Sequence, residues 1–215
     1  MSPAHTQKRL TLAISGSRTL TKRDPVWRVL DERAIYYLSI GYSLHLHLGD
    51  AQGVDALAIY WARERQIAES VTVFFASPDL LSCFDPMPHE QAILAADWRT
   101  DGFGAGPIRN AAMLSGDALS GTRCSTRGCS GADVLLAIRN RSALNRGTDN
   151  CVRQAINRHV AVQSYTMNGP AGEPPAEWSE VARPPAACLL CGRYADDREI
   201  IPGGDGSFVR VECAR

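Results

Sequence analysis

The residues best suited to chemistry lie in one short turn. Within HLHLGDAQGVDALAIYWARER (45–65), alternating apolar residues hand over to an amphipathic helix through Gly49-Asp50-Ala51-Gln52-Gly53-Val54-Asp55. A loop that passes from strand to helix presents backbone N–H groups at the positive end of the helix dipole, a natural seat for an anion. Gly49 and Gly53 permit the turn and let a ligand approach the backbone closely. Asp50 and Asp55 repel a phosphate, so they suit ribose hydroxyls or a water. For Asp55 there is a plainer role, as cap of the helix that starts near Ala56.

Such a turn needs a scaffold, and the flanking pattern supplies one. LTLAISG (10–16) is a short apolar run ending in glycine and reads as a buried strand. Residues 24–40 follow as a helix opened by Asp24-Pro25, with apolar positions at Val26, Trp27, Leu30, Ile35, Tyr37 and Leu38. Strands are expected at 43–48, at 71–76 (VTVFFA), at 133–138 (DVLLAI) and at 159–165 (HVAVQSY). Helices are expected at 56–66, from Pro107 onward, and at 149–158. This alternation predicts an α/β fold, a Rossmann-like doubly wound parallel sheet covered on both faces. In such sheets the ligand crevice lies beyond the carboxyl ends of the strands. Gly16-Ser17-Arg18, Gly49 to Asp55 and the segment holding Gly147-Thr148 all fall at that edge.

Taken in order, ISGSR, LGDAQGVDALA, ADWRTDGFGAGPIRNAAML and ADVLLAI with its downstream GT form a set of four motifs. The set resembles the SLOG superfamily of Rossmann-like domains, in particular its YAcAr branch, over about residues 10–165. Relatives of that class include the cytokinin-activating phosphoribohydrolases called LOG and the DNA-processing protein A family. The resemblance implies that Gly16, Ser17 and Arg18 line a nucleotide-like pocket. It makes Gly49, Asp50, Gly53 and Asp55 a second wall, joined by Arg109 and Asn110, and puts Gly147 and Thr148 at the start of a phosphate-binding helix. Arg18 and Arg109 can each clamp a phosphate bidentately. Asp50 and Asp55 become the candidate catalytic carboxylates. The plainer alternatives are a helix-surface salt bridge for Arg109 and a turn or cap hydrogen bond for Asn110.

One motif departs from the pattern. The LOG enzymes carry PGGxGTxxE, whose glutamate is tied to cleavage of the N-glycosidic bond. Here the stretch reads Leu144-Asn145-Arg146-Gly147-Thr148-Asp149-Asn150-Cys151, with Cys151 in the glutamate's place. A thiol cannot do a carboxylate's work at an oxocarbenium-like centre without a change of mechanism.

The sequence therefore divides into a nucleotide-binding domain (8–167), a Pro/Gly-rich linker (168–186) and a small Cys-containing module (187–215). Cys188-x-x-Cys191 has zinc-knuckle spacing, and Cys213 supplies a third ligand at the end of a short hairpin, so a structural zinc is expected there. The fourth ligand would come from Cys124 or Cys129 in the Arg-containing loop at 121–131, from a histidine or from another chain; the plainer alternative is a reduced, metal-free hairpin. His45 and His47 share one strand face and read as core or surface residues rather than ligands.

The bulk numbers exclude some classes. Lys plus Arg equals Asp plus Glu at 23 each, so no overall basic field argues for nucleic acid. No apolar run approaches the roughly 20 residues that span a bilayer. The polar start MSPAHTQKRL has no signal-peptide core, so a cytoplasmic protein is expected, with its seven cysteines as thiols or metal ligands. Three functions compete. The chain is a hydrolase that cleaves the base from a nucleotide or NAD-derived molecule. It is a non-catalytic sensor of such a signal. Or it is a nucleic-acid binder that grips phosphate through the Arg-rich loop at 123–127 and the Cys-rich tail. A homodimer is the expected assembly by analogy with the class.

Overall fold

A computed structural model of the chain describes residues 8–116 and 131–167 in full, and the strands 178–182, 200–202 and 208–210 by their backbone. In chain order the elements begin β1 (Lys8–Gly16), α1 (Arg23–Ser39), β2 (Tyr42–Gly49), α2 (Val54–Arg65), β3 (Ser70–Phe75), α3 (Pro78–Ser82) and β4 (Glu90–Leu94). They continue with α4 (Trp98–Asp101), a single 3-10 turn (Gly102–Gly104), α5 (Ala105–Ser115), β5 (Val134–Asn140), α6 (Arg146–Asn157), β6 (Ala161–Met167), β7 (Trp178–Ala182), β8 (Ile200–Pro202) and β9 (Phe208–Arg210).

Six strands run parallel in the order β4-β3-β2-β1-β5-β6, and β7 adds antiparallel to β6. The chain winds outward from β1 to β4, crosses back, and restarts at β5 on the other side of β1. That reversal places a topological switch point between β1 and β5. Among the described residues, β8 and β9 pair with each other in a separate two-stranded sheet.

β1, β3 and β5 are largely apolar because both of their faces are covered. On β1, Leu10, Leu12 and Ile14 pack with Val26, Leu30, Val54 and Trp61 of α1 and α2. Ala13 faces the other way, into a second core with Met113 of α5 and Cys151 and Val152 of α6. β5 alternates in the same manner, Leu136 to the first core and Leu135 to the second. A fully buried side chain of this size contributes about 1.5–3 kcal/mol. The buried tryptophans find partners for their indole N–H groups: Trp27 donates to the Leu57 carbonyl at 3.0 Å and Trp61 to Asp31 at 2.8 Å. The result is an α/β fold of Rossmann-like, doubly wound form.

Two elements lie where no strand was expected. β4 forms the sheet edge in a stretch that reads as irregular, and β7 lies within residues 168–186, expected as a linker. No helix among the described residues is long and apolar enough to cross a membrane. Cys188, Cys191 and Cys213, with Cys124, Cys129 and the Arg-rich loop, lie outside the residues whose side chains are described.

Candidate functional site

A cleft of about 510 Å³ opens at the switch point, between the carboxyl ends of β1 and β5. Its floor begins at Gly16. A Cβ at this position would come within 2.6 Å of the Val54 side chain and 2.7 Å of the Ile138 carbonyl, so only glycine allows β1 to turn here. Ser17 follows, its N–H donating to the Ile138 carbonyl at 2.9 Å. The Ser17 hydroxyl contacts Thr19 Oγ1 at 3.0 Å, and Thr19 Oγ1 accepts from Asn140 Nδ2 at 2.7 Å. The loops after β1 and β5 are thus tied directly across the switch point. Arg18 stands exposed at the rim.

The wall from β2 is built around a buried ion pair. Arg109 of α5 donates from Nη1 to Asp55 Oδ2 at 2.8 Å, and its Nε lies 3.8 Å from Asp50 Oδ1. The other oxygen of Asp55 accepts the Gly16 N–H at 3.3 Å, and Asp50 Oδ2 accepts the Ala76 N–H at 2.8 Å. Gly49 is what lets the guanidinium in, because a Cβ there would occupy the space of Arg109 Nη1. Gly53, at φ +82°, lies against the backbone of Ser17 and Arg18, a conformation and a closeness that both demand glycine.

Two acids and one base share this buried space. Burial pushes the Asp55 carboxyl above its ordinary range, and the Arg109 charge and the Gly16 N–H offset only part of that. For Arg109, burial works to lower the pKa, but the two carboxylates outweigh it, so the guanidinium is held protonated.

The opposite wall is the start of α6. Its first helical hydrogen bond runs from the Asp149 N–H to the Asn145 carbonyl at 2.8 Å, so the N–H groups of Arg146, Gly147 and Thr148 have no acceptor within the helix. Asn145 makes no side-chain cap. Its amide instead donates to the carbonyls of Asn140 and Ala143 at 2.8 and 2.9 Å, shaping the loop. Asp149, in the first turn, is paired outward with Arg139 at 3.0 Å. Beside this turn lies Asn110 of α5, whose Nδ2 donates to the Gly147 carbonyl at 3.3 Å and to Asn150 Oδ1 at 3.4 Å. Asn110 Oδ1 is buried and has no partner, although Asn110 lines the cleft.

The cleft therefore unites Gly16, Ser17, Arg18, Asp55, Arg109, Asn110, Gly147 and Thr148 from four separate sequence motifs. Gly49 and Gly53 stand behind its wall. Asp50 opens instead onto an adjoining hollow of about 390 Å³, which Arg18 and Arg109 also line. Sequence reasoning passed over Trp98, Phe103, Leu144 and Asn145, which also line the cleft. The signal for the first two was two aromatic residues in an otherwise polar, Gly-rich segment.

Cys151 is fully buried in the second core, and burial pushes its thiol up to about 12. It is neutral at ordinary pH, so it supplies neither a base nor a nucleophile. His45 and His47 are structural. His45 contacts Ser70 Oγ at 2.6 Å and Glu69 at 3.2 Å. His47 lies 2.7 Å from the Met113 carbonyl, so its Nδ1 carries a proton and donates it there. Among the described residues, no group of three His, Cys, Asp or Glu side chains is placed to hold a metal ion.

Comparison of the chain with protein-family models, curated proteins and solved structures finds no match.

Proposed function

We propose that the chain is a SLOG-type domain that binds a nucleotide-like or NAD-derived molecule in the cleft at the switch point. The observation that carries this reading is the uncapped start of α6, open to the cleft beside the buried, unpartnered Asn110 Oδ1. The free N–H groups of the first turn suit a phosphate. An orphaned carbonyl oxygen wants a donor, and a sugar hydroxyl is the donor a nucleotide brings. Arg18 and Arg146, exposed at the rim, add positive charge to the approach. The order of the four motifs, with its resemblance to SLOG domains, supports the same reading.

Hydrolysis of the N-glycosidic bond is the second reading, and one observation favours it. Asp55 reaches the cleft with its proton affinity raised by burial, as a general acid or base requires. Against it, both Asp55 oxygens are engaged, and Cys151 brings no carboxylate to the place of the LOG glutamate.

A thermal-shift and turnover screen tests both readings, using nucleoside monophosphates, NAD, ADP-ribose and cyclic nucleotides, with base release followed by chromatography. Stabilisation that is lost in Asn110→Ala, with the compound recovered intact, establishes binding without cleavage. Base release that stops in Asp55→Asn, while stabilisation persists, establishes the hydrolase. Absence of any shift across the panel overturns the nucleotide reading.

A further inference from the structure

Beside Arg18 and Arg146, the mouth of the cleft carries large apolar side chains above a polar floor. Phe103 is 100% exposed, Leu144 80% and Trp98 40%, and all three line the cleft. Single exposed apolar residues are common on any surface. These three differ in converging on one opening from two separate loops, Trp98 and Phe103 from the α4–α5 side and Leu144 from the β5–α6 side.

Of the two aromatic residues, Trp98 is also held there. Trp98 is fixed at both ends. Its N–H donates to the Ala76 carbonyl at 3.0 Å, and its six-membered ring lies along Gly106 of α5, where a Cβ would stand 3.5 Å from Cη2. The preceding Asp97 caps α4 by accepting the Arg99 N–H at 2.9 Å, so the indole starts from a fixed backbone. Trp98 also lines the adjoining hollow and so forms the ridge between the two spaces. Phe103 projects between Gly102 (φ +53°) and Gly104, with no Cβ on either neighbour to crowd a flat group laid on its ring.

Large apolar side chains at the rim above polar anchors match a ligand with one flat apolar part and one charged part. We propose that Trp98 and Phe103, facing Leu144, clamp the planar base of the nucleotide, so that the site selects nucleoside phosphates over bare sugar phosphates. This rests on the nucleotide reading above and assigns the part of the ligand that the α6 turn and Asn110 leave unaddressed. Stacking on aromatic side chains tolerates any base, because every base has a π-face. The clamp therefore gives affinity for bases as a class, and discrimination among them falls to the polar floor.

The test is to titrate the full chain with the four common nucleoside 5′-monophosphates, with the parent nucleosides and with ribose 5-phosphate. Calorimetry and tryptophan emission follow binding. Trp27 and Trp61 are buried, which leaves Trp98 as the exposed indole among residues whose side chains are described. The base-bearing ligands are expected to quench emission, ribose 5-phosphate is not, and Trp98→Phe is expected to remove the quench while keeping a stacking ring. Phe103→Ala is expected to weaken monophosphates and nucleosides about 5- to 150-fold and to leave ribose 5-phosphate unchanged. An equal loss for all three ligand types, or no loss for any, overturns the clamp. So does a change of sedimentation in Phe103→Ala with nucleotide affinity intact, which assigns the rim to a contact between copies of the chain. Nucleosides that bind as tightly as monophosphates leave the clamp standing and overturn the phosphate seat at α6. Failure of every base-bearing compound overturns the clamp itself.

Discussion

The two walls of the cleft are built from similar residue types to opposite ends. On the Gly49–Asp55 side the charged groups are paired with one another, although the buried Arg109 Nε lacks a hydrogen bond: Asp55 holds Arg109 and the Gly16 N–H, and Asp50 holds the Ala76 N–H. On the Asn145–Asn150 side three helical N–H groups lack helical acceptors and the neighbouring Asn110 Oδ1 has no partner. The charges of the first wall are largely spent on one another, and the second wall is open. An acidic, Gly-rich turn is therefore not a ligand site by composition alone. What decides is whether the fold has already satisfied its polar groups.

The sharpest way to break that contrast is Arg109→Ala. It strands two buried carboxylates, and destabilisation of about 3–5 kcal/mol is expected from the shift of the urea midpoint at unchanged slope. A loss below about 1 kcal/mol would remove the first wall's structural role.

Acid should loosen the same wall. His47 on β2 bonds to the Met113 carbonyl on α5, the helix that carries Arg109 to Asp50 and Asp55. Burial holds its imidazole down at about 4. The unfolded chain therefore takes up this proton first as pH falls. His47 accordingly lowers stability progressively between about pH 6.5 and pH 4, by about 3 kcal/mol in all. Unfolding curves of His47→Gln across that range should be flatter by this amount, and parallel curves would refute the assignment.

Gly49→Ala comes next. Its methyl group would displace the Arg109 guanidinium, and a loss of about 1–3 kcal/mol is expected by thermal or urea unfolding. The smallest effect belongs to the open wall and has the opposite sign. Nothing lies within 4 Å of a Cβ at Gly147, and the residue is helical, so Gly147→Ala should stabilise by about 0.5–1 kcal/mol. The same methyl group narrows the cleft, so ligand affinity should fall as stability rises. Stability and affinity moving together would contradict the contrast between the walls.

Most of the sheet was legible because β1, β3 and β5, buried on both faces, read as apolar runs and β2 as alternating apolar residues. β1, β2, β3, β5 and β6 lie within two residues of their expected positions. β4 was not legible. It opens with Glu90 and Gln91 after a Pro-rich loop, and the buried Glu90 is satisfied by Arg63, 27 residues earlier, at 2.7 Å and by the Met87 N–H at 3.0 Å. The cleft itself was legible as a convergence of loops, since parallel topology dictates which strand ends meet. The pairing inside it was not. Asp55 and Arg109 stand 54 residues apart, and each alone reads as a group offered to a ligand. Whether a charge faces solvent or a partner is a tertiary fact that local pattern does not encode.

The place of β1 in the sheet also bears on how the molecule comes together. On one side β1 pairs with β2, its neighbour in the chain; on the other it waits for β5, and the bond from the Thr11 N–H to Asp133 spans 122 residues. During synthesis the β1–β4 half can assemble first, with Leu12 to Gly16 presenting an unpaired apolar edge until β5 emerges. The seam closed last is the one the cleft straddles. A ligand that touches both the β1 loop and the start of α6 therefore fastens the two halves where the chain is slowest to join them, and its presence should be felt in the rate of unfolding as much as in the extent.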